Sequence, residues 1–246
     1  MSLKGKVVLI TGGCKNLGAL IARQFAAEGA VLALHYNSSK TKQAADEIAA
    51  CLGAKIYQGD LTIVANVTQL FQSVIRDLGK PHIVINTVGM VLKKPLLAIT
   101  EDEYDRMFAV NSKSAFFITQ EAAEHVTDGG KIINIVTALL AVYTPSYTSY
   151  QGSKAPVEWF TKGLSKELMP QSVSVNAIAP GPMDTSFFYP QETDDSVTFF
   201  KSQAIGGRLT HIEDIAPIIK FLCTEGGWIT GQCFARLTDL LSLLTC

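Results

Sequence analysis

The feature that most constrains this sequence is the alternation of short, β-branched apolar runs with longer segments of helical periodicity. Residues 6–11 form such a run, and residues 17–28 then place Leu17, Ile21 and Phe25 on one helical face. The runs predict strands at 6–11, 30–35, 55–58, 83–85, 131–136 and 172–178. The periodic segments predict helices at 17–28, 41–52 and 66–78, from 100 to about 126, through Lys154 to about 168, and from 210 to 222.

Strands and helices that alternate at this spacing indicate right-handed βαβ units, and therefore a parallel sheet with helices on both faces. We expect one Rossmann-type, doubly wound, three-layer α/β/α domain over residues 1–246, because no linker or repeat interrupts the pattern. Two Thr-x-x-Glu capping boxes, Thr100 with Glu103 and Thr210 with Glu213, predict helix starts. The weakly periodic segment 183–208 is too long for a plain connection, and we interpret it as a substrate-binding lid.

Composition excludes several functional classes. Hydrophobic residues make up 48% of the chain and charged residues 17%, which excludes a disordered chain. A net charge of −1 without a basic block indicates no nucleic-acid partner. No apolar run approaches the ~20 residues that span a bilayer, and the N-terminus lacks a secretory signal, so we expect a cytoplasmic protein without a membrane partner.

The cysteines and histidines are scattered. The five cysteines form an odd set without a C-x-x-C pair, which favours free thiols over disulfides. The four histidines show no ligand spacing either, and we therefore expect no metal site.

The turn after the first strand reads Thr11-Gly12-Gly13-Cys14-Lys15-Asn16-Leu17-Gly18. Glycines there allow the backbone to approach a pyrophosphate, and the following helix offers free amides and the positive end of its dipole. Glycines after a strand are equally common in ordinary tight turns.

The end of the second strand bears on the choice of cofactor. An acidic residue there would accept the ribose 2′-OH of NAD, but the chain continues from His35 as Tyr36-Asn37-Ser38-Ser39-Lys40. Amide, hydroxyl and lysine donors, with Lys15 in the first turn, favour the 2′-phosphate of NADP(H), unless the lysines are merely solvated. Asp60 could accept from the adenine amino group or cap the next helix.

Tyr150 and Lys154 lie four residues apart on a predicted helix and therefore share a face. A nearby cation lowers the pKa of a phenol from its usual ~10, which makes a usable general acid or base. As a pair alone they could equally be an ordinary surface contact.

Their context resembles the short-chain dehydrogenase/reductase family over about residues 6–232. The matching segments follow the family order: Thr11, Gly12 and Gly18; Asp60; Asn86 and Gly89; Asn111; Tyr150 and Lys154; Pro180-Gly181-Pro182-Met183-Asp184-Thr185; Arg208; Glu213 to Ala216; and Ile229 to Gln232. Ketoacyl-carrier and polyhydroxynaphthalene-type reductases are the members that it resembles most.

The resemblance implies catalytic roles. Tyr150 would donate a proton to a carbonyl oxygen while NADP(H) exchanges hydride with the carbon. Lys154 would lower the phenol pKa and bind the nicotinamide ribose, and Asn111 would hold a water in a proton relay. Thr137 stands at the family's serine and would orient the substrate oxygen, although it could also be an ordinary strand-end residue.

The resemblance also implies the remaining contacts. The substrate would be a carbonyl compound or its alcohol, and the aromatic residues of segment 183–208 suggest an apolar or aromatic ketone, unless they only pack the lid. We expect a homo-oligomer, a tetramer or dimer. The expected cofactor-binding residues are Gly12, Lys15, Asn16, Leu17, Gly18, Tyr36, Asn37, Ser38, Asp60, Leu61, Asn86, Gly89, Tyr150, Lys154, Pro180, Gly181 and Thr185.

Four departures from the family pattern stand out. Asn16 replaces a glycine of the turn, Val88 adds bulk to the cofactor floor, and Pro156 removes an amide from the catalytic helix. The tail after residue 232 places four leucines on one helical face where relatives have a strand. Asn16, Val88 and the altered tail motivate the alternative of a catalytically idle relative that binds NADP(H) as a sensor or scaffold.

Overall fold

The computed structural model describes residues 1–142 and 144–235, and in them seven strands form one parallel sheet in the order β3-β2-β1-β4-β5-β6-β7. The strands are β1 (Val7–Thr11), β2 (Val31–Tyr36), β3 (Lys55–Gln58), β4 (Ile83–Asn86), β5 (Lys131–Ile135), β6 (Ser174–Ala179) and β7 (Cys233–Ala235). The order reverses direction between β1 and β4, which creates the crevice where doubly wound sheets bind ligands. The predicted Rossmann-type α/β fold is confirmed.

The same described residues contain eight α-helices. They are α1 (Asn16–Ala27), α2 (Lys42–Leu52), α3 (Val64–Leu78), α4 (Glu101–Phe108), α5 (Ser114–His125), α6 (Thr148–Glu167), α7 (Asp194–Ser202) and α8 (Ile212–Thr224). Alternate residues of β1 face opposite layers: Val8 and Ile10 pack with α1 and α8, whereas Val7 and Leu9 pack with α3 and α5. The unbroken apolar run of β1 follows from this burial on both faces.

The structure corrects the predicted long helix at 100–126. It begins at the expected capping box, in which Thr100 and Glu103 bond each other's backbone amides. A π-helical turn, Ala109–Lys113, then separates α4 from α5. Such widened turns occur often at functional sites, and this one directs Asn111 into the interior.

The second predicted capping box, at Thr210 and Glu213, is wrong by one residue. Thr210 is extended and forms a β-bridge with Met183, so α8 begins only at Ile212. The Asp214 carboxylate accepts the amide of His211 at 2.9 Å and takes the place expected for Glu213.

Three other features of the sequence have clear outcomes. Pro156 lies inside α6 without ending it. Segment 183–208 contains α7, which begins at a capping box between Thr193 and Ser196. A short C-terminal strand is present, since β7 pairs with β6, while the leucine-bearing tail from residue 236 lies outside the described residues.

Candidate active site

A cavity of about 710 Å³ opens at the carboxyl ends of the strands. Residues that follow β1, β2, β4, β5 and β6 line it, and segment 183–208 covers one end. Ligands bind at this edge in open α/β sheets, so the cavity is the candidate active site.

Close backbone packing shapes the turn between β1 and α1. A Cβ on Gly18 would lie 2.6 Å from the Gly12 carbonyl oxygen, and one on Gly12 would lie 2.7 Å from Thr87 Oγ1. Only glycine fits at these distances. Residues at the start of α1 line the cavity, and within the described ranges no side chain caps this helix, so its first amides are available to a pyrophosphate.

His35, a buried residue of β2, stabilises the turn through hydrogen bonds. Its Nδ1 accepts the Gly12 amide at 3.3 Å, its Nε2 bonds the Gly59 carbonyl at 2.8 Å, and its own carbonyl accepts the Gly13 amide at 3.1 Å. Burial lowers the pKa of His35 to about 4, so the ring is neutral near pH 7. Sequence reasoning assigned this residue no role, because a histidine inside an apolar strand shows no distinguishing pattern.

Asn16 keeps the turn conformation that its glycine counterpart would have. Its φ is +44°, a left-handed value that asparagine tolerates better than most residues. Its side-chain oxygen accepts a hydrogen bond from Ser186 Oγ at 3.4 Å, which links the turn to the segment over the cavity.

The adenosine end of the cavity retains most of the predicted residues. Lys15, Tyr36 and Asn37 line it, as does Thr41, which was not predicted, whereas Ser38 and Lys40 do not. Donors without a carboxylate at the end of β2 fit a 2′-phosphate.

Asp60 also lines the cavity, together with Leu61. Asp60 Oδ1 accepts from the amide and hydroxyl of Thr62, at 3.0 and 2.8 Å. The residue that caps α3 is Ile63, so the helix-capping alternative for Asp60 is wrong.

The segment after β4 forms the cavity floor. Asn86 is buried beneath it and does not line the cavity, since its Oδ1 accepts from Thr11 Oγ1 and the Val88 amide. Gly89 does line it, and a Cβ there would lie 3.1 Å from Lys154 Nζ. Asn86 therefore holds the floor in place, and Gly89 leaves room for the lysine.

Three of the four predicted catalytic residues meet in the cavity: Tyr150, Lys154 and Thr137. Tyr150 and Lys154 come from α6, and Thr137 follows β5. Lys154 Nζ donates to the carbonyls of Ile135 at 3.0 Å and Val88 at 3.4 Å, so the ammonium is directed toward the ends of β5 and β4.

The pKa of Tyr150 differs from the expectation. Burial raises it to about 12, and a hydrogen bond with the Thr137 side chain opposes this rise. The Lys154 ammonium donates to backbone carbonyls, and its predicted effect on the phenol stays a prediction. Burial also lowers the pKa of Lys154 to about 8.

Asn111 is fully buried and does not line the cavity. Its side chain accepts the Met90 amide and donates to the Met90 carbonyl, both at 2.8 Å, and also donates to Ser153 Oγ at 2.9 Å. Ser153 in turn donates to the Tyr150 carbonyl. These contacts fasten the floor to the catalytic helix, and the water-holding role stays a prediction.

The segment after β6 is the one that the resemblance predicts for the nicotinamide. Pro180, Gly181 and Thr185 line the cavity. Thr185 Oγ1 is buried and has no hydrogen-bond partner among the described residues. A buried hydroxyl usually finds a partner, and the carboxamide of a nicotinamide would supply one.

We call segment 183–208 the lid. Of its five predicted aromatic residues, Phe187, Phe188 and Phe200 line the cavity, while Tyr189 and Phe199 do not. Phe188 and Phe200 also pack edge to face, with ring centroids 5.7 Å apart. These rings therefore line the cavity and also pack against each other within the lid.

Comparison with known proteins identifies the family. A family model described as enoyl-(acyl carrier protein) reductase matches residues 12–235. A short-chain type dehydrogenase/reductase of Picea abies is 36% identical, over 94% of this chain and 90% of its own. The chain belongs to the short-chain dehydrogenase/reductase family. This confirms the resemblance inferred from its motifs.

Two further family members resemble this short-chain dehydrogenase/reductase. A hydroxynaphthalene reductase-like protein of Metarhizium brunneum is 33% identical, over 94% of this chain and 93% of its own. A solved structure of a putative dehydrogenase from Burkholderia cenocepacia with bound NADP is 51% identical, covers 95% of this chain and 92% of its own, and superposes with a TM-score of 0.93.

Two absences apply to the described ranges. Among residues 1–142 and 144–235, no group of three histidine, cysteine or acidic side chains could hold a metal ion. No helix in the same part of the chain has the length and apolar character to cross a membrane.

Proposed function

We propose that this oxidoreductase is an NADPH-dependent carbonyl reductase that acts on ketones, and on the corresponding alcohols in reverse. The observation that carries the proposal is the placement of Tyr150, Thr137 and Lys154 in one cavity with a glycine turn suited to a dinucleotide. A protein that only bound the cofactor would not need this set.

The pKa values suit reduction. A phenol with a pKa of about 12 is protonated at neutral pH and can donate to a carbonyl oxygen. The Thr137 hydroxyl, which opposes the rise in the pKa of that phenol, is placed to hold the same oxygen. Lys154, with a pKa of about 8, can return a proton to Tyr150 near neutral pH. Bound NADPH supplies the hydride to carbon, so a ketone and a proton give an alcohol and NADP⁺.

The NADP(H) preference rests on Lys15, Asn37 and Thr41 at the adenosine end, where no acid follows β2. The bound NADP of the similar Burkholderia protein supports it.

For the substrate we propose an uncharged, apolar or aromatic ketone. The body of the protein contributes Val91, Leu139 and Val142 to the substrate end, and the lid contributes Phe187, Phe188 and Phe200. Among the described residues no lysine or arginine of the lid lines the cavity, and the one arginine that does line it, Arg106, belongs to α4.

The test follows NADPH absorbance with acetophenone, 1-tetralone and pyruvate as probes. We expect turnover of the aromatic ketones, and a fall in kcat of about 10²- to 10⁴-fold in Tyr150→Phe. NADPH affinity, titrated by fluorescence, should stay nearly unchanged. Tyr57→Phe is the matched control, because that hydroxyl bonds Asp77 outside the cavity. Tight NADPH binding without turnover of any carbonyl would favour the idle, cofactor-binding alternative.

We also propose a homo-oligomer built on helix faces. Phe116 of α5 is 42% exposed and Trp159 of α6 is 67% exposed, which is costly for rings that no partner covers. Light scattering at micromolar concentration tests this, and a monomeric mass would contradict it.

A further inference from the structure

Glu192 of the lid has an unusual environment for a surface segment. Its side chain is fully buried, and three donors bind its carboxylate. Lys93 Nζ and Ser196 Oγ donate to Oε2 at 2.5 Å each, and Tyr147 donates its hydroxyl to Oε1. We call Glu192, Lys93 and Tyr147 the clamp.

The clamp joins the lid to two parts of the body. Lys93 lies in the connection that follows the cavity floor, and Tyr147 immediately precedes α6. A second contact parallels the ion pair, since the Lys93 amide donates to Gln191 Oε1 at 2.9 Å. Two adjacent lid residues therefore bind one residue of the body, through its backbone and its side chain.

Burial makes the clamp sensitive to change. Removing a charge from water is costly, and the remaining charge is left uncompensated if its partner is removed. The pKa of Tyr147 lies far above its usual value, because burial and the neighbouring carboxylate both disfavour the phenolate. Its hydroxyl therefore stays protonated and remains a donor to Glu192.

Tyr147 also forms part of the cavity wall. It is buried, and its ring centroid lies 6.1 Å from that of Tyr150. Because Glu192 binds the Tyr147 hydroxyl, it also fixes the position of the Tyr147 ring in the cavity wall.

We propose that Glu192 is a positioning residue that holds the lid closed and fixes Tyr147 as a wall of the substrate pocket, and thereby sets which ketones fit. This inference rests on the proposed reductase function. It assigns specificity to a carboxylate that lies outside the cavity lining and touches neither the reacting atoms nor the cofactor turn.

The kinetic test uses Glu192→Gln, which keeps the side-chain shape and removes the charge. With 1-tetralone as substrate, KM should rise about 10-fold while kcat changes less than about 3-fold, because the clamp acts on binding. The ratio of kcat/KM for acetophenone to kcat/KM for bulkier aryl ketones should change at the same time. Lys93→Met should behave like Glu192→Gln, and Lys93→Arg should retain most of the wild-type KM.

The matched control is Asp195→Asn, an exposed carboxylate in the same lid and in the first turn of α7. It should leave KM and kcat unchanged. Tyr147→Phe provides a second variant should Glu192→Gln fail to fold, since it removes one donor and keeps the ring. Its KM should rise less than that of Glu192→Gln.

Hydrogen–deuterium exchange gives a readout that needs no turnover. Backbone amides of residues 187–200 should exchange at least about 10-fold faster in Glu192→Gln than in wild type or Asp195→Asn. Wild-type exchange and wild-type KM in Glu192→Gln would overturn the inference. No turnover by the wild-type enzyme would instead overturn the proposed function, and the specificity role with it.

Discussion

At the cofactor end of the cavity neutral groups hold the turn between β1 and α1, whereas at the substrate end one buried carboxylate holds the lid. The turn depends on glycines in backbone contact and on the uncharged ring of His35. The lid depends on Glu192 and its three donors.

The difference concerns how each end tolerates substitution. At Gly18 the nearest atoms are backbone, which cannot adjust as a side chain can, so the cofactor end admits few changes. The lid is joined to the body by side-chain contacts and is packed by aromatic rings. Other side chains can take these places and give the pocket a different shape. We therefore expect most substitutions at the turn to weaken cofactor binding, and substitutions in the lid to change which substrates are accepted.

Gly18→Ala should break the cofactor end most severely. Its Cβ would lie 2.6 Å from the Gly12 carbonyl oxygen and 3.0 Å from Gly13 Cα, so backbone must move. We expect urea unfolding to show a stability about 3 kcal/mol lower than that of the wild type. Fluorescence titration should show NADPH binding about 100-fold weaker. Gly163→Ala is the control. Its Cβ would meet open space on the exposed face of α6, so the stability of this variant should rise by up to about 1 kcal/mol. Equal effects of the two variants would contradict the packing argument.

The neutral His35 predicts a loss of stability in acid. Its pKa is about 4 in the folded protein against 6.5 for the free side chain, so the unfolded chain binds the proton more readily. The contribution is complete above pH 6.5 and is lost as pH falls toward 4, to a total of about 3 kcal/mol. His35→Gln should flatten this dependence in urea titrations at pH 7 and 4.5. The exposed His211→Gln serves as control, and an unchanged slope in His35→Gln would refute the assignment.

Lys15→Ala should affect the binding of NADPH and of NADH differently. Lys15 lines the cavity and Lys40 does not, although the sequence presents both as candidates for a 2′-phosphate. We expect about 5-fold weaker NADPH binding in Lys15→Ala, decreasing with added salt, and unchanged NADH binding. Lys40→Ala should match wild type for both cofactors. If Lys40→Ala lost NADPH affinity instead, Lys40 rather than Lys15 would bind the 2′-phosphate.

Asn16 joins the two ends and should give the smallest effect. Asn16→Gly and Asn16→Ala both remove the contact with Ser186, but only alanine is strained at a φ of +44°. Asn16→Ala should therefore be about 1 kcal/mol less stable than Asn16→Gly in thermal unfolding. Ser186→Ala measures the contact alone, and identical stability of the two Asn16 variants would argue against the left-handed turn.

The strands were predictable from sequence because apolar runs buried on both faces leave a clear pattern. The six predicted strands agree with β1 to β6 within one or two residues. The capping box at Thr100 was also visible, since its two partners are local. The start of α8 was not, because the pairing of Thr210 with Met183 is a contact between distant residues.

The candidate site divides in the same manner. Motif positions identified Tyr150, Lys154 and Thr137, and the structure brings them into one cavity. Ser38, Asn86 and Asn111 do not line it, because whether a side chain reaches a ligand or supports a neighbouring loop depends on packing. His35 and Glu192 carry no local signal at all.

By itself the sequence determined the layer architecture and the family, and it named the residues that we propose for proton transfer, since these follow from periodicity and from short motifs along one chain. Only the tertiary structure decided the protonation of Tyr150, the neutrality of His35 and the attachment of the lid through Glu192. Each of these depends on burial and on partners from distant segments. The electrostatic cost of a group is set by what surrounds it in the folded chain, not by its neighbours in sequence.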